Sequence, residues 1–352
     1  MRALRHPRRR MSESFDALLV VGFGGPESAA EVMPFLENVA RGRDIPRQRL
    51  LAVAENYYRL GGRSPINDQN RALIAALGAE LETHGVKLPI YWGNRNWHPL
   101  LAETMRRMMA DGVRRALIFV TSAYSSYSAC RQYLEDVETA RTQIGAGAPQ
   151  FERLPRYCLL PGFVEPLMER VRDARARVPE ERRGAARLLC TAHSIPLEMA
   201  QTSKYLEQLT EVARRVADGA GFSSHRLVFQ SRSGLPGQPW LEPDVRDALS
   251  QEAEAGVKDV IVAPIGFISD HMEIVFDLDT QAREHAERLG INLVRAATVG
   301  THPKFVAMIR ALIEERLSGA AEAWKWPCLE NCCPAPHRMG LPPERPACGS
   351  AS

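Results

Sequence analysis

LLVVGFGGP, residues 18–26, is an apolar run that ends in a glycine-rich turn, and LLCTAHSIP, residues 188–196, aligns on it without gaps at an offset of 170. A second pair follows in the same order. GVRRALIFVTSAYSSYS at 112–128 aligns on GVKDVIVAPIGFISDHM at 256–272, at an offset of 144. Strand followed by small-residue turn is common, so either match alone carries little; two in the same order point to paired α/β domains. The offsets differ by 26 residues, which places an insertion in the first half, within 27–65.

The rest of the chain fits this reading. Apolar, β-rich runs at 17–21, 88–92, 116–121, 188–191, 227–230, 260–263 and 292–295 alternate with amphipathic stretches at 70–82, 101–109, 163–178, 204–217, 245–255 and 279–288. Alternation of these two periods is the pattern of parallel sheets wrapped by helices. The expected organisation is a basic leader at 1–14, presumed disordered, a first domain at 15–150 and a second at 151–300. A C-terminal helix at 301–318 and a cysteine- and proline-rich tail at 319–352 complete it.

Composition narrows the function classes. The 45 Lys+Arg and 42 Asp+Glu give a net charge of +3, but five of the positive charges are Arg2, Arg5, Arg8, Arg9 and Arg10. The body is therefore slightly acidic, which excludes a broad nucleic-acid-binding face. The leader MRALRHPRRR lacks an apolar core and is not a secretory signal; it reads as a start-site artefact ahead of Met11. No apolar run reaches the roughly 18 residues of a spanning helix. Cytoplasm is the expected compartment, where structural disulfides are rare.

Ligands of open α/β sheets bind beyond the carboxyl ends of the strands, so the turns there are the places to look for chemistry. The turn Gly22-Phe23-Gly24-Gly25-Pro26 invites a dinucleotide reading, but Glu27 stands where the fingerprint needs glycine. Ala192-His193-Ser194-Ile195-Pro196 sets a histidine at a strand end, and a hydrogen-bonded structural histidine is the alternative there. After the third strand end, Glu273 and Asp277 lie four residues apart and so on one helical face, with Asp279 nearby. Like charges so placed raise each other's pKa unless a cation compensates. A solvated face would explain the two aspartates. It explains Glu273 less well, because Met272, Ile274, Val275 and Phe276 around it imply burial.

TAHSIP at 191–196, QSRSG with PWLEPDV across 230–245, and PIGFISDHMEIVFDLD at 264–279 together resemble the ferrochelatases. GGRSPIN at 61–67, GNRNW at 93–97 and SAYSSYSACRQY at 122–133 extend the likeness, which covers about 15–317 and is greatest to actinobacterial-type members. The resemblance implies two Rossmann-like domains with a porphyrin in the cleft between them and ferrous iron as the second substrate. It assigns metal and pyrrole-proton handling to His193 and Glu273, continues a carboxylate relay through Asp277, and leaves Gln281 where an acid often stands. Ser64 and Tyr133 match positions implicated in substrate binding; for both, and for Arg49, a role in capping a turn, in packing or on the surface is the alternative. Arg49, in the inserted segment, suits a propionate as a bidentate fork. Phe23 stands where some members carry a tyrosine, so an axial phenolate is excluded.

Some members also hold a [2Fe-2S] cluster on one internal cysteine and three near the C-terminus. Here that implies Cys158 with Cys328, Cys332 and Cys333; Cys190 lies inside a strand and Cys130 in the porphyrin-side motif. Cys348 is the alternative ligand, and four thiolates equally describe a zinc site. Coproporphyrin III is slightly favoured over protoporphyrin IX by the actinobacterial likeness. A non-catalytic porphyrin carrier and an iron-sulfur redox sensor on the same fold are the competing functions.

Overall fold

The computed structural model describes residues 15–42, 45–233, 237–319 and 332–335. The leader, Cys328, Cys348 and most of the tail lie outside them. In the first half β1 (Ala17–Gly22) leads through α1 (Ala29–Val39), α2 (Arg47–Arg59) and α3 (Ile66–Thr83) to β2 (Ile90–Asn94). Then come α4 (Leu101–Ala110), β3 (Arg115–Val120), a π-helical turn at Tyr127–Arg131, α5 (Gln132–Ile144) and β4 (Gln150–Arg153). The second half holds α6 (Pro161–Ala176), β5 (Arg187–His193), α7 (Leu197–Gln201), α8 (Tyr205–Ala220), β6 (His225–Gln230), α9 (Val245–Glu254) and β7 (Asp259–Ala263). A π-helix at Ile274–Ala282, α10 (Arg283–Arg288), β8 (Asn292–Arg295) and α11 (Pro303–Leu317) complete it.

Each half forms a four-stranded parallel sheet, in the order β2-β1-β3-β4 and β6-β5-β7-β8. The two orders are the same, strand for strand, so the internal repeat is a repeat of topology. Central strands buried on both faces must be apolar throughout, and β1 and β7 are buried along their whole length. The edge strand β4, QFER, is only partly covered. Helices follow the same logic: α8 buries Leu209, Val212, Ala213, Val216 and Ala217 at helical spacing and stops at Gly221, whose left-handed φ of 75° suits a residue without Cβ.

One apolar core joins the halves, with Leu18, Phe119, Leu188, Ile261 and Phe305 in a single cluster. Buried polar contacts cross the same seam: Tyr124 Oη donates to the Ile265 carbonyl at 2.8 Å, and Gln208 pairs with Ser125 through both its amide atoms. Helix α11 packs on α6 and returns to α3 of the first half, where Arg310 Nε meets Glu80 at 2.8 Å. The extra length of the first half is α1 and α2, between β1 and α3. Among the described residues no helix is long and apolar enough to cross a membrane.

Candidate active site

The carboxyl ends of both sheets open onto one cavity of about 1780 Å³. Its first-half wall is aromatic: Phe23, Phe35, Tyr57 and Trp97 line it, and Trp97 Nε1 is held by Glu31 at 2.7 Å. Phe35 and Tyr57 pack in one cluster with Met272 and Phe276, so the inserted helices close down on the π-helical segment of the other half. The glycines of the first turn serve this packing. A Cβ on Gly25 would meet Ser64 and Ile66 at 2.8 Å, so the turn is filled by α3 and has no room to cradle a pyrophosphate.

His193 is the last residue of β5. Its carbonyl accepts from Tyr205 Oη at 2.9 Å, and the next residue donates its N–H to the Gln230 carbonyl at 2.8 Å, which fixes the backbone on both sides. His193 Nδ1 lies 2.5 Å from the Ser194 carbonyl. A carbonyl only accepts, so Nδ1 carries the hydrogen and Nε2 keeps its lone pair. Burial lowers the imidazole pKa, against the pull of Glu273, so the ring is neutral at neutral pH.

Glu273 enters the π-helix directly after the turn at β7. Its Oε2 accepts from His271 Nδ1 at 2.6 Å, and its carbonyl accepts from Gln230 Nε2 at 3.2 Å. Burial works to raise this carboxyl, but His271 and then His193 outweigh it and bring it to about 2. Its side chain still shows 41% of its surface to the cleft, so the charge is accessible to a ligand. Asp277 lines the same cavity one turn on, with Gln281 beyond it. Burial, with the Glu273 charge, pushes Asp277 up to about 7, although the Ser231 hydroxyl donates to it. Ser231 takes a left-handed φ of 63° to do so, backbone strain placed at the site.

Two features stand apart from the sequence reading. The segment after Glu273 is π-helical where an α-helical period was expected, yet both acids face the cavity. Among the tail cysteines within the described residues, Cys333 stands near Cys130, with Cys332 next to it in sequence, whereas Cys158 is buried in the central core. Burial pushes the Cys158 thiol up to about 12. Cys130 instead receives Arg153 Nη1 at 2.8 Å and Arg156 Nη1 at 3.7 Å. Cys333 and the two guanidiniums hold its thiol well below the usual range, against burial.

The remaining expectations fall in different places. Tyr133 lines the cavity with the Arg95 guanidinium 4.4 Å over its ring. Arg49 also lines it and donates to the Ser233 carbonyl across the cleft. Ser64 is buried beneath the first turn, its Oγ accepting from Ile66 N at 3.4 Å, and is not part of the cavity wall.

A family model described as ferrochelatase matches residues 15–317. The chain belongs to the ferrochelatase family. It is 48% identical over 328 residues to the ferrochelatase of Rhodopirellula baltica, covering 91% of this chain and 93% of that protein. It is 46% identical to the coproporphyrin III ferrochelatase of Streptomyces coelicolor, with 92% of each covered, and 50% identical to that of Mycolicibacterium smegmatis, with 87% and 91% covered. Among solved structures, SirB of Bacillus subtilis with Fe3+ superposes with a TM-score of 0.54 at 12% identity, over 86% of this chain and 97% of that one, a likeness of fold.

Membership of the ferrochelatase family makes the chain an enzyme and gives the cavity its meaning. Sequence reasoning passed over His271, Gln230 and Tyr57, which line that cavity. His271 carried a signal: a second imidazole two residues before the key carboxylate. Among the described residues no three His, Cys, Asp or Glu side chains converge as a metal cage.

Proposed function

We propose that the cleft inserts ferrous iron into coproporphyrin III during haem synthesis. The observation that carries this reading is the juxtaposition, in one cavity, of a neutral histidine, an ionised glutamate and an aspartic acid that titrates near neutrality. Insertion replaces two pyrrole N–H protons by one Fe2+, so two protons leave and no electrons move.

His193 Nε2 takes a pyrrole proton, because burial keeps the ring neutral and Ser194 keeps the proton on Nδ1. Glu273, ionised at neutral pH, suits the hard dication as it sheds water. Asp277 accepts protons and returns them toward solvent, its carboxyl lying near 7. The aromatic wall opposite packs against the macrocycle. Coproporphyrin III carries four propionates where protoporphyrin IX has two, and Arg41, Arg49 and Arg232 line the cavity to meet them. Steady-state metalation of the two porphyrins tests the choice: faster turnover of coproporphyrin III is expected. Undiminished turnover by His193→Ala would sink the catalytic assignment.

A [2Fe-2S] cluster on Cys130, Cys332 and Cys333, with Cys328 or Cys348 as fourth ligand, is part of the same reading. What supports it is a thiolate-favouring Cys130 between two arginines with Cys333 near it, although these three thiols do not converge as a metal cage among the described residues. Such a cluster supplies structural or redox-sensing chemistry and no step of the insertion. Cys130→Ser should lose the visible absorbance of anaerobically purified protein and Cys158→Ser keep it; a colourless protein with bound zinc would replace the cluster by a zinc site.

A further inference from the structure

Both sheets end on an arginine at the same place. Arg153 closes β4 opposite Ile118 of β3, and Arg295 closes β8 opposite Val262 of β7; 118 and 262 are related by the same offset of 144 that relates the two halves. Each arginine reaches the π-helical segment of its own half. Arg153 meets Cys130 within Tyr127–Arg131, and Arg295 meets the segment around Ile274–Ala282.

The second contact is the more elaborate. Arg295 Nη1 and Nη2 form a fork on Asp270 at 3.2 and 3.1 Å, while Nε reaches Asp279 Oδ1 at 2.6 Å. Thr298 Oγ1 adds a hydrogen bond to Asp270 at 3.0 Å. The guanidinium is mostly buried, at 17% exposure, and so are both carboxylates. Asp270 stands just before His271 and Glu273, and Asp279 just after Asp277. One planar cation therefore grips the acid-bearing segment at both ends. A π-helix is rare and recurs at functional sites, and residues that must hold a reacting geometry need outside support of this kind.

We propose that Arg295 is the positioning residue of the metal-handling helix: its fork on Asp270 and its bond to Asp279 set the spacing of His271, Glu273 and Asp277 across the cleft from His193. This rests on the chelatase reading for its effect on turnover, and on geometry alone for the clamp. Arg295→Lys keeps the charge and loses the fork. Amide hydrogen exchange should accelerate locally, about tenfold across 271–282, with β1 and β5 unchanged. Metalation should slow about tenfold while the KM for porphyrin stays within about twofold.

Arg182 is the matched control, a fork on Asp259 at 2.7 and 3.1 Å at the amino end of β7 in the same sheet. Arg182→Lys should leave both readouts as they are. Unchanged exchange at 271–282, equal loosening by Arg182→Lys, loosening spread over the whole second half, or turnover within about twofold of the parent would each overturn the proposal. Should Arg295→Lys fail to fold, the neutral set Arg295→Gln, Asp270→Asn and Asp279→Asn must show the same local loosening, or the clamp falls. If the parent protein metalates no porphyrin, the chelatase reading fails, and the exchange data still decide the clamp.

Discussion

The two halves share a strand order and differ in what stands at their matching turns. Phe23 and His193 occupy equivalent places at an offset of 170, and Tyr127 and His271, or Ala129 and Glu273, at an offset of 144. Every metal- and proton-handling group of the proposed chemistry lies in the second half. The first half supplies the aromatic wall, the inserted helices that cover the cleft, and Cys130. The same scaffold thus becomes a wall or a reactive face according to three side chains, which is why site chemistry and not fold decides function.

The widest separation between the halves should come from the first pair. His193→Ala is expected to lower kcat about 1,000-fold, as loss of a general base does, whereas Phe23→Ala should act mainly on porphyrin KM and cost less than about tenfold. Steady-state kinetics with both substrates varied would break the comparison if the two variants lost equal turnover. The next pair is His271 against Tyr127. Without His271 the Glu273 carboxyl loses the partner that does most to outweigh its burial and rises toward the ordinary carboxylate range. His271→Gln should therefore move the acid limb of kcat/KM to higher pH and cut turnover about tenfold, while Tyr127→Phe leaves the limb in place.

Asp277 sharpens the contrast through stability. Its raised pKa means that the folded chain keeps a proton which the unfolded chain releases near about pH 4, so its contribution is full below that and lost as pH rises through about 7. Asp277→Asn should thus melt higher than the parent at about pH 8 and alike at about pH 4, while turning over more slowly. A higher melting point at both pH values would mean that the carboxyl is not the cause. The smallest effect belongs to the first half: Arg49→Gln should raise porphyrin KM about threefold, in line with a solvent-accessible charge contact.

Why so much of this was legible follows from burial. Central strands covered on both faces cannot be polar, so β1, β3, β5 and β7 announce themselves, and the edge strands β2, β6 and β8 do so by their short apolar runs, 292–295 agreeing with β8 to the residue. The edge strand β4 escaped because half-solvated QFER carries no apolar run. The π-helix escaped because a spacing of four sets Glu273 and Asp277 on one face at either helical period. Cys158 was preferred to Cys130 on sequence context, which holds no distance; only packing shows that the tail returns to the turn after β3. Ser64 is buried under the first turn, a placement that its sequence context does not show.

The return of α11 to α3 has a consequence in time. The Arg310–Glu80 contact joins residues 230 apart, and Phe305, Ile309 and Ile313 lie in the core that both halves share. A growing chain emerges first half first, at roughly 5–20 residues per second. Until residue 317 is out, the outer face of α3 and the flank of α6 lack their cover, so the first half waits partly open through the synthesis of the second. Closure is then a late, long-range event, the kind that folds slowly and draws on chaperones in the interval.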